Sequence, residues 1–340
     1  MNADPRTDPF KATQAAYAAR RHFVDGLAIK DIADELDLSR FKVSRLVDWA
    51  RATGLVRIEV KTSADTDADL SAELERAFGL RRALAVAGLD GPVESVLYGV
   101  AGIAALGVAE LAQPDDVLGV SWGRTLEAIV QQLPPFRVAR VVQLVGGMAT
   151  LESAAGGVDL IRRLALHAQA EGFPLVAPLI ARNAAGGRSL RHEPSIAETV
   201  RLFDDVTIAV AGVGSWSPPS SRLIEALGRR KAAALTRRGV CADLCGIMVA
   251  SDGTVVSDHE IEAQRVGILP TQLRAIPTVV AVAGGTEKTA AISAVLRSGL
   301  VDVLVTDAGA ARAVLSEVEV ARVGGKSSRT PASLRMRHAR

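Results

Sequence analysis

Val117-Leu118-Gly119-Val120-Ser121-Trp122-Gly123-Arg124-Thr125 carries the phrase on which the fold turns: an apolar run, a small-residue turn, then a helix that reads to Gln132. The phrase recurs. Val138–Val145 ends at Gly146-Gly147, and Thr207–Ala211 ends at Gly212-Val213-Gly214. Thr278–Ala283 ends at Gly284-Gly285 before a helix over Glu287–Arg297, and Val301–Val305 ends at Thr306-Asp307 before a helix over Ala308–Leu315. Strands that are apolar at every position and alternate with helices are covered on both faces. The expected fold class is therefore α/β, a parallel sheet between two helical layers. One Asp252-Gly253 turn, between Leu244–Ala250 and Thr254–Val256, predicts a hairpin at a sheet edge.

The chain upstream has a different period. Ala12–Val24 reads as a helix ending near Gly26, and Ile29–Leu36 as a second. Ser39 is placed to cap a third, whose inward face is Val43, Leu46, Val47 and Ala50, and Gly54 ends it. Leu55–Val60 then alternates as a short half-exposed strand does. These boundaries predict a winged helix-turn-helix domain over 1–60 and a polar linker over 61–69. An α/β effector and oligomerisation domain follows over 70–320, then a basic tail over 321–340. In a helix-turn-helix the second helix of the motif enters the major groove, N-terminal residues first. Ser39, Arg40, Lys42, Ser44 and Arg45 are the expected DNA contacts. Positions 40, 42, 45, 51 and 57 are basic against the single acid Asp48, whereas residues 1–38 hold more acids than bases. Positive charge is thus concentrated where phosphates would lie.

Composition narrows the function classes. Formal net charge is +2, so charge on the whole chain does not itself demand a nucleic acid. Aromatic residues are 4%, so Ala, Val, Leu and Ile must build the core. Cys241 and Cys245, spaced Cys-x₃-Cys with no histidine near, make neither a disulfide framework nor a good zinc site. No metal and no cofactor is expected, and a reduced cytoplasmic setting is. The polar N-terminus lacks the pattern of a signal peptide. The longest apolar run, Ser95–Ala109 between Glu94 and Glu110, is shorter than the ~20 residues a spanning helix needs and reads as a buried helix, so no membrane partner is expected.

Ligands of open α/β sheets sit beyond the C-terminal strand ends. At that place Gly123 allows close backbone approach, Ser121 and Thr125 supply hydroxyls, and Arg124 suits an oxyanion. Trp122 suits a sugar face or, alternatively, the core. Gly146-Gly147 and Gly284-Gly285 mark similar strand ends. Lys288 lies near a helix N-terminus, where a cation is disfavoured unless an anion arrives. Asp243 and Asp307 are placed to take sugar hydroxyls, or to cap helices. Arg265 reads as an anion clamp or a surface arginine. Of His22, His167, His192, His259 and His338, none sits at a glycine-lined strand end. His259, beside Glu260, is the one general acid/base candidate, so no catalytic residue is assigned. The rival to a regulator is a phosphosugar isomerase-like enzyme with an accessory N-terminal module; a purely structural oligomer is a weaker third reading.

Five segments resemble the SorC/DeoR-type sugar-binding transcriptional regulators. They are Ser-Arg-x-x-Val-Ser-Arg-Leu (39–46), Gly-Val-Ser-Trp-Gly-Arg-Thr-Leu (119–126), Leu-Val-Gly-Gly (144–147), Ala-Gly-Gly-Thr-Glu-Lys (283–288) and Leu-Val-Thr-Asp (304–307). The resemblance runs from about Ala15 to Leu315. It implies a sensor domain folded like the phosphosugar isomerases and a tetrameric regulator with operator DNA as partner; the expectation for this chain is a homo-oligomer, dimer or tetramer. It also implies a sugar, polyol or sugar phosphate as effector, with 121–125, Arg265 and Lys288 around it. Some relatives carry a lysine in the strand before the Gly-Gly pair that bonds covalently to an aldehyde effector; Val141–Val145 has none here, which excludes capture from that strand.

Overall fold

A computed structural model of the chain describes residues 8–56, 66–89, 91–148 and 156–324. The chain divides into two compact units, 1–63 and 64–340.

The first unit is helical: α1 (Pro9–Phe23), α2 (Ile29–Leu36) and α3 (Arg40–Ala52). Asp8 caps α1 by accepting from Lys11 N at 3.0 Å, and Ser39 caps α3 by accepting from Lys42 N at 3.3 Å. Between α2 and α3 the chain reverses at Asp37, whose φ of 51° is left-handed. Ala15, Ala18, Ala19, Ile32, Ala33, Val43, Leu46, Val47 and Ala50 form one small core. Arg21 pairs with Asp25 and with Glu35, which ties α1 to α2. The four inward positions expected on α3 are the four that are buried. Most of the expected wing, beyond Val56, lies outside the described residues, as does most of the basic tail.

The second unit opens with β1 (Thr66–Asp67), α4 (Ala68–Phe78), β2 (Arg82–Val86), α5 (Val93–Leu111), β3 (Val117–Val120), α6 (Arg124–Val130), β4 (Arg140–Gln143), α7 (Gly156–His167) and β5 (Glu171–Phe173). It continues with α8 (Ala184–His192), α9 (Pro194–Arg201), β6 (Ile208–Ser215), α10 (Arg222–Arg237), β7 (Val240–Leu244), β8 (Ile247–Ala250), α11 (His259–Gln264) and α12 (Pro270–Ala275). It closes with β9 (Thr278–Val282), α13 (Thr289–Arg297), β10 (Val303–Asp307) and α14 (Ala308–Gly324). The sheet runs β1-β2-β10-β9-β6-β3-β4-β5, parallel throughout except for β1, and β7 and β8 continue antiparallel from the end of β6.

The continuous apolar strands are explained by two cores, one on each face of the sheet. Ile208, Val210, Val280, Val282, Val303 and Val305 point into the layer of α5, α6 and α7. Their neighbours Ala209, Ala211, Val279, Ala281 and Leu304 point into the opposite layer, with Leu74, Leu223, Ile292 and Val314. The period of two is present, and both of its phases are buried.

Three expectations need correction. The run Leu244–Ala250 is not one strand: an additional hairpin joins β7 to β8 through Cys245-Gly246, whose φ values of 52° and 70° are both left-handed, as a two-residue turn with the sheet's twist requires. At Asp252-Gly253 the expected hairpin forms, though short: Ala250 N donates to Thr254 O and Val256 N to Met248 O, each at 2.9 Å, around the antiparallel bridge Val249–Val255, and Thr254 N donates to Asp252 Oδ1 at 2.8 Å. The residues expected as linker already hold structure: Thr66 and Asp67 pair with β2, and Asp67 caps α4 by accepting from Leu70 N at 3.1 Å. The apolar run expected as a buried helix is α5, longer than read and buried on one side only. Val96, Val100, Ala101, Ala104, Ala105 and Val108 face the sheet, while Tyr98 and Leu106 are about half exposed. By length and composition alone α5 would suffice to span a bilayer; here its buried side is one layer of the α/β unit.

Candidate functional site

The C-terminal ends of β3 and β6 lie side by side, and the β7–β8 hairpin folds over them. The open sheet thereby leaves a cleft at the place where such sheets take ligands. The cleft has a volume of about 110 Å³ and gathers seven of the residues expected from the sequence: Ser121, Trp122, Gly123, Arg124, Thr125, Asp243 and Lys288. Beyond Arg124 and Ser220–Arg222 it adjoins a wider hollow of about 620 Å³, which Arg229 also lines.

The turn after β3 is held by bonds to neighbouring strands and their ends. Ser121 N donates to Val210 O at 3.1 Å, which binds the start of the turn to β6. Gly123 has a φ of 123°, a conformation that a side chain would strain, and from it α6 begins. Thr125 packs against Gly212. Trp122 answers both readings offered for it: it lines the cleft and packs against the core, with its indole Nε1 donating to Gly146 O at 2.9 Å. Arg124 is largely exposed, and its nearest acid, Glu94, is 4.0 Å away. Glu127 is taken by Arg163.

Asp243 is a buried charge of the cleft lining, and Lys288 is a partly buried one. Asp243 is 8% exposed. Burial pushes its carboxyl above the usual carboxylate range, partly offset by the nearby Ser221, Trp216, Gly246 N–H and Lys288. Its Oδ1 and the Trp216 indole nitrogen close by make no hydrogen bond of good geometry. Lys288 ends a 3₁₀ turn, Thr286–Lys288, and donates to Val213 O at 3.3 Å. Burial, and then the charge of Arg124, push its ammonium below the usual lysine range. The cleft therefore brings two cations together with a buried acceptor that has free valence.

The remaining expected residues stand elsewhere. Arg265 is 4% exposed and does not line the cleft; its Nη1 donates to Ile268 O at 2.7 Å, and burial brings its guanidinium down to about 10. Gly146 and Gly147 hold the segment around Pro178. A Cβ at Gly146 would stand 2.7 Å from Pro178 O, and Gly147 N donates to Ala177 O at 2.8 Å. Asp307 takes the capping alternative, accepting from Gly285 N at 2.6 Å and Ala310 N at 2.8 Å, with Gly284 packed beside it. His259 begins α11 as an exposed residue outside the cleft lining. Sequence reading missed Ser220, Ser221, Arg222, Gly214, Cys245 and Gly246, all in the lining. The signal was present in Ser217-Pro218-Pro219-Ser220-Ser221-Arg222, a turn followed by a helix cap, for Ser221 Oγ accepts from Leu223 N at 3.1 Å. Cys245 lies buried in the hairpin turn with its thiol pushed up to about 12 by that burial.

On α3 the expected DNA contacts Arg40, Lys42, Ser44 and Arg45 are all exposed, and Ser39, also exposed, is the helix cap. Arg40, Lys42 and Arg45 have no ion pair among the described residues.

Known proteins match the chain over both units. The family model described as "Putative sugar-binding domain" matches residues 63–316. The transcriptional regulator LsrR of Enterobacter sp. (strain 638) is 30% identical over 301 residues, which cover 87% of this chain and 90% of that protein. A DeoR family transcriptional regulator from Listeria monocytogenes superposes with a TM-score of 0.64 at 27% identity, over 72% of this chain and 98% of that one. The full-length sorbitol operon regulator SorC from Klebsiella pneumoniae has the same fold, with a TM-score of 0.69 at 23% identity over 89% of this chain and 98% of that one. From the matched residues and the two-unit organisation, the chain belongs to the SorC/DeoR-type sugar-binding transcriptional regulators.

Proposed function

We propose that the three-helix unit is a helix-turn-helix that reads operator DNA with Ser39, Arg40, Lys42, Ser44 and Arg45, and that the cleft of the α/β unit takes the controlling effector. The chain is a DNA-binding transcription regulator whose activity a sugar-type ligand modulates. Its relatives are named as regulators, which favours this reading over an isomerase-like enzyme. The exposed His259, outside the cleft, offers that rival no general base there. A regulator of this kind works in the cytoplasm, as an even-numbered oligomer that places two recognition helices on two half-sites.

One observation carries the effector assignment. Arg124 and Lys288 converge at the cleft from two different strand ends, while Asp243, Ser121 and Thr125 line the same space. An oxyanion accepts charge-assisted hydrogen bonds from the two cations and relieves their mutual repulsion; sugar hydroxyls suit the unfilled Oδ1 of Asp243. A sugar phosphate fits this pattern better than a free sugar or polyol. The test is titration calorimetry with matched phosphorylated and unphosphorylated sugars on wild type, Arg124→Ala and Lys288→Ala. Preference for the phosphate, lost in both variants, is expected. Equal binding of the free sugar, or no effect of either substitution, overturns the assignment.

A further inference from the structure

We infer that Phe41 is a base-reading residue whose phenyl ring contacts the C5 methyl group of a thymine in the major groove. The inference rests on the reading of α3 as the DNA-facing helix and adds a residue to it.

Phe41 is 84% exposed, although it belongs to a helix whose inward face is fully used by Val43, Leu46, Val47 and Ala50. At 100° per residue it lies opposite that core, on one ridge with Arg45 at i+4 and beside Ser44 at i+3. Ser39 caps the helix, so Phe41 stands in the first turn, the end that enters the groove. A large aromatic ring held in water gains nothing from folding. A protein-docking surface would need a contiguous apolar patch of several hundred Å². Here the ring is flanked by Arg40, Lys42 and Arg45, none with an ion pair among the described residues, and the one acid near it on α3 is Asp48. By contrast Arg21, on α1, is neutralised by Asp25 and Glu35. Unpaired cations around a single apolar ring complement a surface that is anionic with an isolated apolar group. The major groove is such a surface, and the thymine methyl is the apolar group on its base edges.

The experiment uses the full chain. A duplex is enriched from a randomised pool. Copies are then made with each dT replaced singly by dU, which removes only the methyl group. Affinities are measured by fluorescence anisotropy for wild type, Phe41→Ala and Arg45→Ala. One methyl lost from an apolar contact corresponds to about a fourfold change in Kd. Wild type is expected to weaken about fourfold at one symmetry-related pair of positions. Phe41→Ala is expected to bind dT and dU duplexes equally there, with an unchanged melting temperature, while Arg45→Ala keeps the difference. The same dT-to-dU ratio in wild type and Phe41→Ala at every position overturns the inference. So does a lowered melting temperature in Phe41→Ala, which would make the ring structural. Failure to enrich any duplex is a distinct result, and overturns instead the reading of α3 as a DNA-binding helix.

Discussion

Gly214 and Asp243 are register partners across the β6–β7 pair, and the Asp243 carboxyl lies against the glycine: a Cβ at position 214 would stand 2.9 Å from Asp243 Cγ and 3.0 Å from Ser221 Cβ. The missing side chain is the space in which the buried acid sits. Gly214→Ala is therefore expected to displace Asp243 from the cleft. Overpacking of this kind costs about 1–3 kcal/mol, so a lower melting temperature should accompany at least a tenfold loss of effector affinity, read by calorimetry. Undiminished affinity would mean that Asp243 does not touch the ligand.

Asp243→Asn separates charge from shape. Burial raises the folded-state pKa of Asp243, so the folded protein binds this proton more tightly than the unfolded chain does. Below the ordinary carboxylate range both states are protonated and no penalty exists. As pH rises through the raised pKa the penalty grows and then stays constant. The asparagine variant should match wild type in acid and melt higher at neutral pH, as thermal melts across pH would record. It should also lose affinity for the effector, since one acceptor oxygen is gone.

On the DNA side, Arg45→Ala should weaken operator binding by roughly 1–3 kcal/mol if its guanidinium is bidentate to a guanine. Arg40→Ala and Lys42→Ala, as phosphate contacts, should weaken all sequences alike and reduce the salt dependence. Gel shifts at two salt concentrations distinguish these outcomes. Normal affinity in all three variants removes α3 from the interface.

Much of this is legible in the sequence itself, and the reasons are local. Ser39, the four inward positions of α3 and the glycine-ended strands each follow from the backbone they occupy: a cap, a helical period, a turn that excludes Cβ. What escaped is turns without the usual turn residues, and burial set by packing from elsewhere in the chain. The Cys245-Gly246 hairpin is a left-handed turn without the usual Asn-Gly or Asp-Gly, so it goes unread inside Leu244–Ala250, while the short return at Asp252-Gly253 carries the usual residues. Arg265, flanked by polar Gln264 and apolar Val266, reads equally as an anion clamp or a surface arginine. Its carbonyl partner, Ile268, is three residues on, and its burial comes from packing that no local pattern announces. Ser220–Arg222 reach the cleft because Ser220 N and Ser221 N both donate to Ser215 O at the end of β6, a loop closure that no periodic pattern announces.

The most direct test measures operator affinity of the full chain by fluorescence anisotropy with and without a panel of sugars, polyols and their phosphates, in wild type and in Lys288→Ala. At least one sugar phosphate should shift the wild-type Kd for operator by tenfold or more and leave Lys288→Ala unmoved while its ligand-free affinity stays normal, because only a ligand with unequal affinity for two arrangements can shift them. An operator affinity that no member of the panel changes, or an equal shift in wild type and Lys288→Ala, would contradict control of DNA binding through this cleft.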